Sequence, residues 1–345
     1  MKMIKSWFLP AAFLFLLVFS SAVMAQQTGA QIFQQGMDDF KAERYEQAIV
    51  NFKKSIDLNF SLASSYYNLG NCYYALKRYD EAVGAFNSAI QNKPDDYDAF
   101  VYLGNTLDYL KRYDEAIQAY NKAISLQPDN AWAYYERGVA QKLHEDYNGA
   151  IASFTKAVAG ESKFAGRAYL NLGLCYKVLN RESEAQTAFQ KALTADPNSA
   201  RANYELGFIY EGQKRDDDAI ASYKEAVRIN PDYADAYLGL GNVYYNVNNY
   251  AASLPYYKKA AESSPEWATA RLYLADNYKA LKRYSEAVAS YNQVITLDNK
   301  NDEAYYGLGL AHFAMGNKVL ATVQYDKLKP LNADLAAKLL TIINK

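Results

Sequence analysis

The sequence has little of the material from which thiol, imidazole or metal chemistry is built. Its 345 residues include only two cysteines and two histidines. Neither sign of charge dominates, because 37 lysine and arginine residues offset 38 aspartate and glutamate residues. This balance gives no bulk attraction to nucleic acid or to an anionic membrane. Since no glycine-rich phosphate loop or nucleophile motif appears either, we expect no enzyme, no cofactor and no nucleic-acid partner.

Residues 1–25 differ in composition from the rest of the chain. Two lysines precede an almost wholly apolar run over 7–19, and small residues follow it. This order predicts a secretory signal peptide that is cut between Ala25 and Gln26, and therefore a periplasmic or secreted protein. An uncleaved membrane anchor is the alternative, although the run is short for a span of about 20 residues and contains Pro10.

A 34-residue pattern recurs nine times from Gly29 onward, and one copy is a residue longer. A period of this length is typical of a solenoid built from stacked repeats. We number the repeats 1 to 9 and the positions within each repeat from its first residue. The expected repeats are 29–62, 63–96, 97–130, 131–165, 166–199, 200–233, 234–267, 268–301 and 302–335. Residues 336–345 are expected to be the C-terminal end of a capping helix.

Three positions in the repeat are nearly invariant. Position 8 is glycine in eight repeats and alanine in the other, position 20 is alanine or serine, and position 24 is always phenylalanine or tyrosine. Glycine inside a helix costs about 1 kcal/mol relative to alanine, so its repetition needs a reason. We expect the backbone of a second helix to lie too close to position 8 for a side chain. The large ring at position 24 is expected to fill the gap between neighbouring repeats.

Turn residues divide each repeat into two helices. Proline recurs at position 32, where it cannot continue a helix. Asn180, Asn248 and Gly316 lie between the two helices of their repeats, where a left-handed residue would end the first helix. The residues expected to cap the next helix are Asp95, Asp129, Asn198 and Asp232.

The pattern resembles the tetratricopeptide repeat, most clearly in repeat 2 with YNLGNCYYALKRYDEAVGAFNSAIQNKP. The resemblance covers residues 29 to about 335 and is weakest in repeats 1 and 9. It implies an all-α, right-handed α-solenoid, or superhelix, of about nine helix-turn-helix units with a C-terminal capping helix. It also implies a non-catalytic scaffold that binds peptides or partner proteins in a concave groove lined by the first helix of each repeat. With the signal segment, we expect this scaffold in the cell envelope or the extracellular space.

Candidate ligand residues follow from helical spacing. If positions 4, 7, 8 and 11 are buried, positions 2, 5, 9 and 12 form the neighbouring exposed stripe. Asparagine can pair with both groups of a peptide bond, tyrosine offers a rigid ring with a hydroxyl, and lysine can meet an acidic group. The groove candidates are Tyr67, Asn71, Tyr74, Asn105, Tyr135, Lys142, Lys177, Tyr204, Asn242, Tyr245, Lys279 and Tyr306.

Other ligands and roles remain open at this point. The family's clamp for a C-terminal carboxylate places lysine at position 5, and no repeat here has lysine there. A glycan-handling scaffold of an exopolysaccharide export or envelope assembly system is the alternative function, since aromatic groove faces stack on sugar rings. A purely structural spacer is the third. Direct membrane attachment is expected only if the signal segment stays uncleaved.

The scarce cysteines and histidines have structural interpretations. Cys72 and Cys175 both occupy position 10, three repeats apart, which is too far for a disulfide and predicts two buried free thiols. His312 occupies the core position 11, whereas His144 falls near the end of a first helix and is expected to be exposed. The two histidines are five repeats apart and cannot share a metal.

Overall fold

The computed structural model describes residues 27–159 and 163–345 of the chain. The predicted signal peptide over 1–25 and part of the long exit from repeat 4, residues 160–162, lie outside the described residues. Regular structure in the described part is entirely helical. The chain divides into two compact units between Asn180 and Arg181. We call them the N-terminal and the C-terminal unit.

The N-terminal unit contains nine helices within the described ranges. They are α1 (27–41), α2 (Tyr45–Asp57), α3 (Leu62–Ala75), α4 (Tyr79–Asn92), α5 (Tyr97–Tyr109), α6 (Tyr113–Leu126), α7 (Ala131–Leu143), α8 (Tyr147–Ala157) and α9 (Ala165–Val178). From α2 to α9, each helix packs against the next one along the chain. The first helices α3, α5, α7 and α9 also touch one another in sequence.

The C-terminal unit has the same arrangement of paired helices within itself. Its helices are α10 (Glu182–Ala195), α11 (Ala200–Gly212), α12 (Asp216–Ile229), α13 (Ala234–Asn246), α14 (Tyr250–Ser263), α15 (Ala268–Ala280), α16 (Tyr284–Leu297), α17 (Asp302–Ala314), α18 (Lys318–Leu328) and α19 (Ala333–Ile343). Each helix again packs on its successor. The predicted all-α solenoid fold of stacked helix pairs is therefore confirmed.

The aromatic ring at position 24 lies directly against the glycine at position 8 of the same repeat. A Cβ atom added to Gly104 would stand 2.5 Å from Cε1 of Tyr120, which is fully buried. The same arrangement is formed by Gly36 with Phe52, Gly70 with Phe86, Gly138 with Phe154, Gly207 with Tyr223 and Gly241 with Tyr257. The expectation that a helix backbone approaches this glycine is wrong, because the nearest group is a ring. The distance between the two helices of a repeat is thus set by the thickness of the position-24 ring.

Position 15 adopts a left-handed backbone conformation in every repeat. The expected residues Asn180, Asn248 and Gly316 have φ angles of 56°, 60° and 78°. The other six repeats place a lysine or a glutamate there, which the sequence did not indicate. These residues are Glu43, Lys77, Lys111, Glu145, Lys214 and Lys282. The turn geometry is therefore imposed by the packing of the two helices, since the residue type does not favour it.

The residues that cap the first helices lie one position later than expected. Asp96 accepts a hydrogen bond from the backbone N–H of Ala99, and Asn130 accepts one from that of Trp132. Ser199 and Asn301 cap their helices in the same way. Position 33 remains in the turn after proline, so the predicted caps at that position are wrong.

Helix α19 covers the exposed end of repeat 9. Ala336, Leu339 and Ile343 are buried on its inner face. A Cβ atom added to Gly309 would stand 2.5 Å from Cδ2 of Leu339. The capping helix thus takes the place that a following repeat would fill.

Both cysteines and His144 adopt the expected environments, whereas His312 is less buried than its core position predicted. Cys72 and Cys175 are buried free thiols, and burial raises their pKa values to about 12 and about 11. His144 is exposed, whereas His312 is half-buried and loss of solvent lowers its pKa. Within the described ranges, no cluster of histidine, cysteine and carboxylate side chains has a metal-binding arrangement. None of the described helices has both the length and the apolar run that crossing a bilayer requires.

The ring-on-glycine contact predicts opposite effects of the same substitution at two helical glycines. Gly104→Ala should lower the free energy of unfolding by about 1–3 kcal/mol, because the added methyl group meets a fully buried ring that cannot move aside. Gly84→Ala should raise it by about 0.5–1 kcal/mol, because Gly84 is exposed in α4 and an added Cβ atom would meet no described atom within 4 Å beyond its chain neighbours and its own helix backbone. Urea unfolding measures both. Equal stabilities of the two variants would contradict the packing scheme.

Candidate functional site

Wherever position 24 is a fully buried tyrosine, its hydroxyl reaches the groove-facing side of the first helix. In repeat 3, Oη of Tyr120 donates to Oδ1 of Asn105 at 2.7 Å and is 3.0 Å from Oδ2 of Asp108. These acceptors occupy positions 9 and 12 of the repeat. The core ring therefore determines which polar groups the first helix presents.

The C-terminal unit repeats this bond three times. The hydroxyls of Tyr223, Tyr257 and Tyr291 donate to Glu211, Asn242 and Asp276, at 2.8, 2.9 and 2.6 Å. Each acceptor again lies at position 9 or 12 of the same repeat. Asn105 and Asn242, predicted as ligand residues, thus already serve as acceptors for core hydroxyls. Asn71 differs, because its repeat has Phe86 at position 24 and its Oδ1 is buried without a hydrogen-bond donor among the described residues.

A cleft of about 310 Å³ opens between the first helices of repeats 2, 3 and 4. Its walls combine aromatic, apolar and acidic side chains. They are Tyr74 from α3, Asn105, Asp108 and Tyr109 from α5, and Glu136, Val139 and Leu143 from α7. We call it the acidic cleft.

Both carboxylates of the acidic cleft are half-buried, and this burial raises their pKa values. The pKa of Asp108 rises to about 7, chiefly through desolvation, with the negative charge of Glu136 adding to the effect. The Tyr120 hydroxyl opposes this rise. Desolvation also raises the pKa of Glu136, against the opposing effects of the Trp132 side chain and the Arg167 charge. Indole Nε1 of Trp132 donates to Oε1 of Glu136 at 2.9 Å.

Two of the candidate lysines are engaged within the protein. Nζ of Lys142 donates to Oδ1 of Asn171 at 2.5 Å. Nζ of Lys279 lies 2.6 Å from Oδ1 of Asp276, the same oxygen that accepts from Tyr291. Lys177 is half-buried at the equivalent position of repeat 5. These contacts hold the two ammonium groups against neighbouring side chains and do not leave them free for an acidic ligand.

Position 5 lies deeper than the predicted exposed stripe. Val101 and Leu272 are buried, and the tyrosines at this position are half-buried. Tyr67, Tyr135 and Tyr204 each pack against the position-24 ring of their own repeat, with ring centroids 5.8–5.9 Å apart. The expectation of exposure is therefore wrong for position 5, although the outer edges of these rings border the first-helix surface.

The C-terminal unit has its own cleft of about 440 Å³ between α11 and α13. Its lining includes Tyr204, Phe208, Glu211, Leu238, Asn242 and Trp267. Desolvation raises the pKa of Glu211, and the charge of Lys214 opposes this rise. Two carboxylates, Glu211 and Asp235, and one lysine, Lys214, therefore line this cleft.

The structure gathers only some of the predicted groove residues into clefts. Tyr74 and Asn105 line the acidic cleft, and Tyr204 and Asn242 line the cleft of the C-terminal unit. The candidates outside these clefts are Tyr67, Asn71, Tyr135, Lys142, Lys177, Tyr245, Lys279 and Tyr306. Of these, Tyr245 packs on Tyr250 with ring centroids 4.9 Å apart.

Several residues that line the clefts are not among the predicted groove residues. Glu136 occupies position 6, and Tyr109 and Leu143 occupy position 13 at the ends of their helices. The signal in the sequence is a large apolar or aromatic side chain at the last position of the first helix. Tyr109 and Leu143 are such side chains, and in the structure they are 61% and 50% exposed. Such side chains are informative when they border a cleft.

The hydroxyl-to-groove bonds predict that asparagine substitutions affect stability in a pattern set by position 24. Asn242→Ala should lower the free energy of unfolding by about 1–3 kcal/mol, because the Tyr257 hydroxyl loses its acceptor. In a Tyr257→Phe background the same change should have little effect. Asn71→Ala, beside Phe86, is the matched control and should have a smaller effect than Asn242→Ala. Thermal and urea unfolding measure all four variants, and equal losses at both asparagines would contradict the assignment.

Comparisons with known proteins agree with this architecture. A family model described as TPR repeat matches residues 36–77, 109–144, 213–248 and 275–316. Two models described as tetratricopeptide repeat match 63–96, and 166–199 with 234–266. A sequence comparison with curated proteins finds no match.

Several solved structures share the fold. The C-terminal part of a TPR repeat-containing protein from Cytophaga hutchinsonii is 19% identical, with a TM-score of 0.59 over 70% of this chain and 99% of that one. A tetratricopeptide repeat protein from Parabacteroides merdae is 19% identical, with a TM-score of 0.51 over 72% and 99%. Pseudomonas aeruginosa PilF is 21% identical, with a TM-score of 0.52 over 60% and 94%. The family models together match well over half of the residues, and the chain belongs to the tetratricopeptide repeat family.

Proposed function

We propose that the protein is a non-catalytic scaffold that binds peptide segments of partner proteins, and that the acidic cleft holds a lysine or arginine side chain of the peptide. The tetratricopeptide fold serves protein–protein interaction. The observation that supports the basic side chain is the pair of half-buried carboxylates, Asp108 and Glu136, in one cleft.

The carboxylates of the acidic cleft lack a basic partner within the cleft, although the more distant Arg167 charge acts on Glu136. Among the described residues, no lysine or arginine lines the cleft. In the part of the chain that the structure describes, neither Asp108 nor Glu136 forms an ion pair, and Oδ1 of Asp108 is buried without a hydrogen-bond donor. A ligand cation would supply the missing partner, and a charged hydrogen bond at a half-buried site is worth about 1.5–3 kcal/mol.

Aromatic rings at the cleft mouth favour the same ligand. Tyr109 stacks on Tyr79 with ring centroids 4.9 Å apart, and Tyr74 meets Tyr109 edge to face at 5.5 Å. A cation or the apolar stem of a lysine packs well over such rings. The exposed Leu143 extends this apolar border. The cleft therefore suits a basic side chain that is followed by an apolar one.

Peptide libraries with one fixed central residue test the proposal. The purified mature chain should retain libraries fixed at lysine or arginine and should not retain those fixed at glutamate. The double variant Asp108→Asn, Glu136→Gln should bind the retained peptides about tenfold less tightly or worse, because both carboxylate charges are lost. Fluorescence anisotropy of labelled peptides measures the change.

The control for net charge is Asp95→Asn, Asp129→Asn, which neutralises two exposed turn carboxylates in the same unit. It should leave affinity unchanged. Affinity for the basic peptide should also rise from about pH 6 to about pH 8, because Asp108 must ionise to meet the cation, and this rise should be absent in Asp108→Asn. Equal retention of acidic and basic libraries, or retention of polysaccharide alone, would contradict the proposal.

We also propose a location in the cell envelope or outside the cell, which rests on the signal-like segment over 1–25. Expression of the full chain in a secreting host should release a protein that begins at Gln26. Its mass should be that of residues 26–345. A full-length chain in the membrane fraction would instead make the segment an anchor.

A further inference from the structure

In repeats 2, 6 and 8, a tyrosine at position 11 and an arginine at position 16 form a stacked pair. In repeat 2, the guanidinium carbon of Arg78 lies 4.7 Å from the ring centroid of Tyr73. The same stacking, at 4.3 and 4.9 Å, is formed by Arg215 with Tyr210 and by Arg283 with Tyr278. The recurrence shows that this pair is a regular part of the repeat.

This tyrosine also meets position 25 of the preceding repeat. Nζ of Lys53 lies 5.9 Å from the ring centroid of Tyr73. Lys258 stands at the same distance from Tyr278, and Nε2 of Gln190 lies 3.3 Å from Oη of Tyr210. The tyrosine thus occupies a slot between the preceding second helix and the turn of its own repeat. We call this the tyrosine slot.

Repeat 3 has the walls of the tyrosine slot but not the tyrosine. Its position-11 residue is Leu107, the only apolar, non-aromatic residue at this position in the nine repeats. A cleft of about 540 Å³ lies here, within the usual range for small-ligand sites. Its lining is Val83, Asn87, Phe100, Leu103, Leu107, Arg112, Glu115, Gln118, Ala119, Asn121, Lys122 and Ser125. Asn87 and Arg112 are the position-25 and position-16 residues that flank the tyrosine in the other repeats.

In the tyrosine slot of repeat 3, Arg112 is fixed by the same kind of ion pair as the arginine that stacks on tyrosine in repeat 2. Nε and Nη2 of Arg112 donate to the two carboxylate oxygens of Glu115, at 2.7 and 2.6 Å. Arg78 is held by Glu81 through the same two donors. Because the acid fixes the guanidinium in both repeats, the stacking surface above the slot of repeat 3 is already in place.

We propose that the tyrosine slot of repeat 3 binds an aromatic side chain, a tyrosine of a partner protein, which inserts over Leu103 and Leu107 with its ring under Arg112. The occupant is indicated by the protein itself, since the equivalent space in repeats 2, 6 and 8 holds a tyrosine. The apolar floor buries the ring, and the rim of Asn87 and Asn121 offers hydrogen bonds to the hydroxyl.

This site is separate from the acidic cleft, because the two share no lining residue. It therefore does not depend on the function proposed above. A partner that reaches both sites would gain affinity from each, and either site can be removed without the other.

N-acetyl-tyrosinamide is a suitable probe, with N-acetyl-leucinamide as the comparison. Titration followed by NMR should shift the methyl resonances of Val83 and Leu103 with the tyrosine compound and not with the leucine compound. Leu107→Tyr should fill the slot from within, keep or raise the melting temperature and abolish the shifts. Asp108→Asn, Glu136→Gln should leave probe binding unchanged.

Arg112→Gln provides a second variant that leaves the buried floor intact, since Arg112 is exposed at the rim. It should weaken probe binding roughly two- to fivefold, the effect expected for a lost cation–π contact at an exposed site. Three results would each overturn the proposal. They are no methyl shifts in the wild-type protein, equal shifts with both compounds, and equal binding by wild type and a folded Leu107→Tyr variant.

Discussion

A flat aromatic ring pressed against a bare stretch of helix backbone is the contact on which the rest of the structure depends. In repeats 1, 2, 3, 4, 6 and 7, the ring at position 24 leaves no room for a Cβ atom at position 8 of its own repeat. In two places the following repeat also has a glycine against this ring, because Gly239 faces Tyr223 and Gly307 faces Tyr291. The ring is thus a wedge that fixes both the spacing within a repeat and the spacing to the next one. Since each repeat touches only its neighbours, the spacing set by this contact determines the stacking of the repeats along each unit.

The choice between phenylalanine and tyrosine at the wedge connects the core to the ligand surface. A buried hydroxyl needs an acceptor, and in the four repeats with a fully buried tyrosine that acceptor lies at position 9 or 12 of the first helix. Every acidic residue at these two positions therefore lies in a repeat whose position 24 is tyrosine. Asp108 is the clearest case, because the burial that satisfies Tyr120 also desolvates the carboxylate and raises its pKa. Part of the groove chemistry is thus a consequence of core packing.

The sequence predicted the features that follow from period and size, and it failed where neighbouring helices decide. Helix pairs, the glycine register and the left-handed turn at Asn180 were readable because each depends on local chemistry. The same turn at Lys111 was not readable, since lysine does not favour a positive φ and the helix pair imposes it. The depth of position 5 was also misjudged, because its tyrosines pack against the position-24 ring of the second helix.

The predictions of groove residues also failed where contacts with neighbouring helices decide. Asn105 and Asn242 were selected for their ability to pair with a peptide bond, yet a core hydroxyl already occupies one acceptor of each. Glu136 is not among the predicted residues, because the exposed stripe is predicted at positions 2, 5, 9 and 12 and does not include position 6. The pairing of tyrosine at position 24 with an acceptor at position 9 or 12 was visible in the sequence. It would have separated asparagines with a core role from Asn71.

A repeat protein gains a specific site where one repeat departs from the common pattern. Leu107 replaces a ring that other repeats carry, while Arg112 and its partner Glu115 keep the arrangement that the ring would require. An altered core residue usually lets its surroundings collapse, but here the flanking helices are held apart by the Tyr120 and Phe86 wedges on either side. The gap therefore persists as a shaped cleft. Because the packing of the repeats is rigid, leucine at position 11 of repeat 3 leaves a cleft with the shape of the tyrosine side chain that other repeats have there.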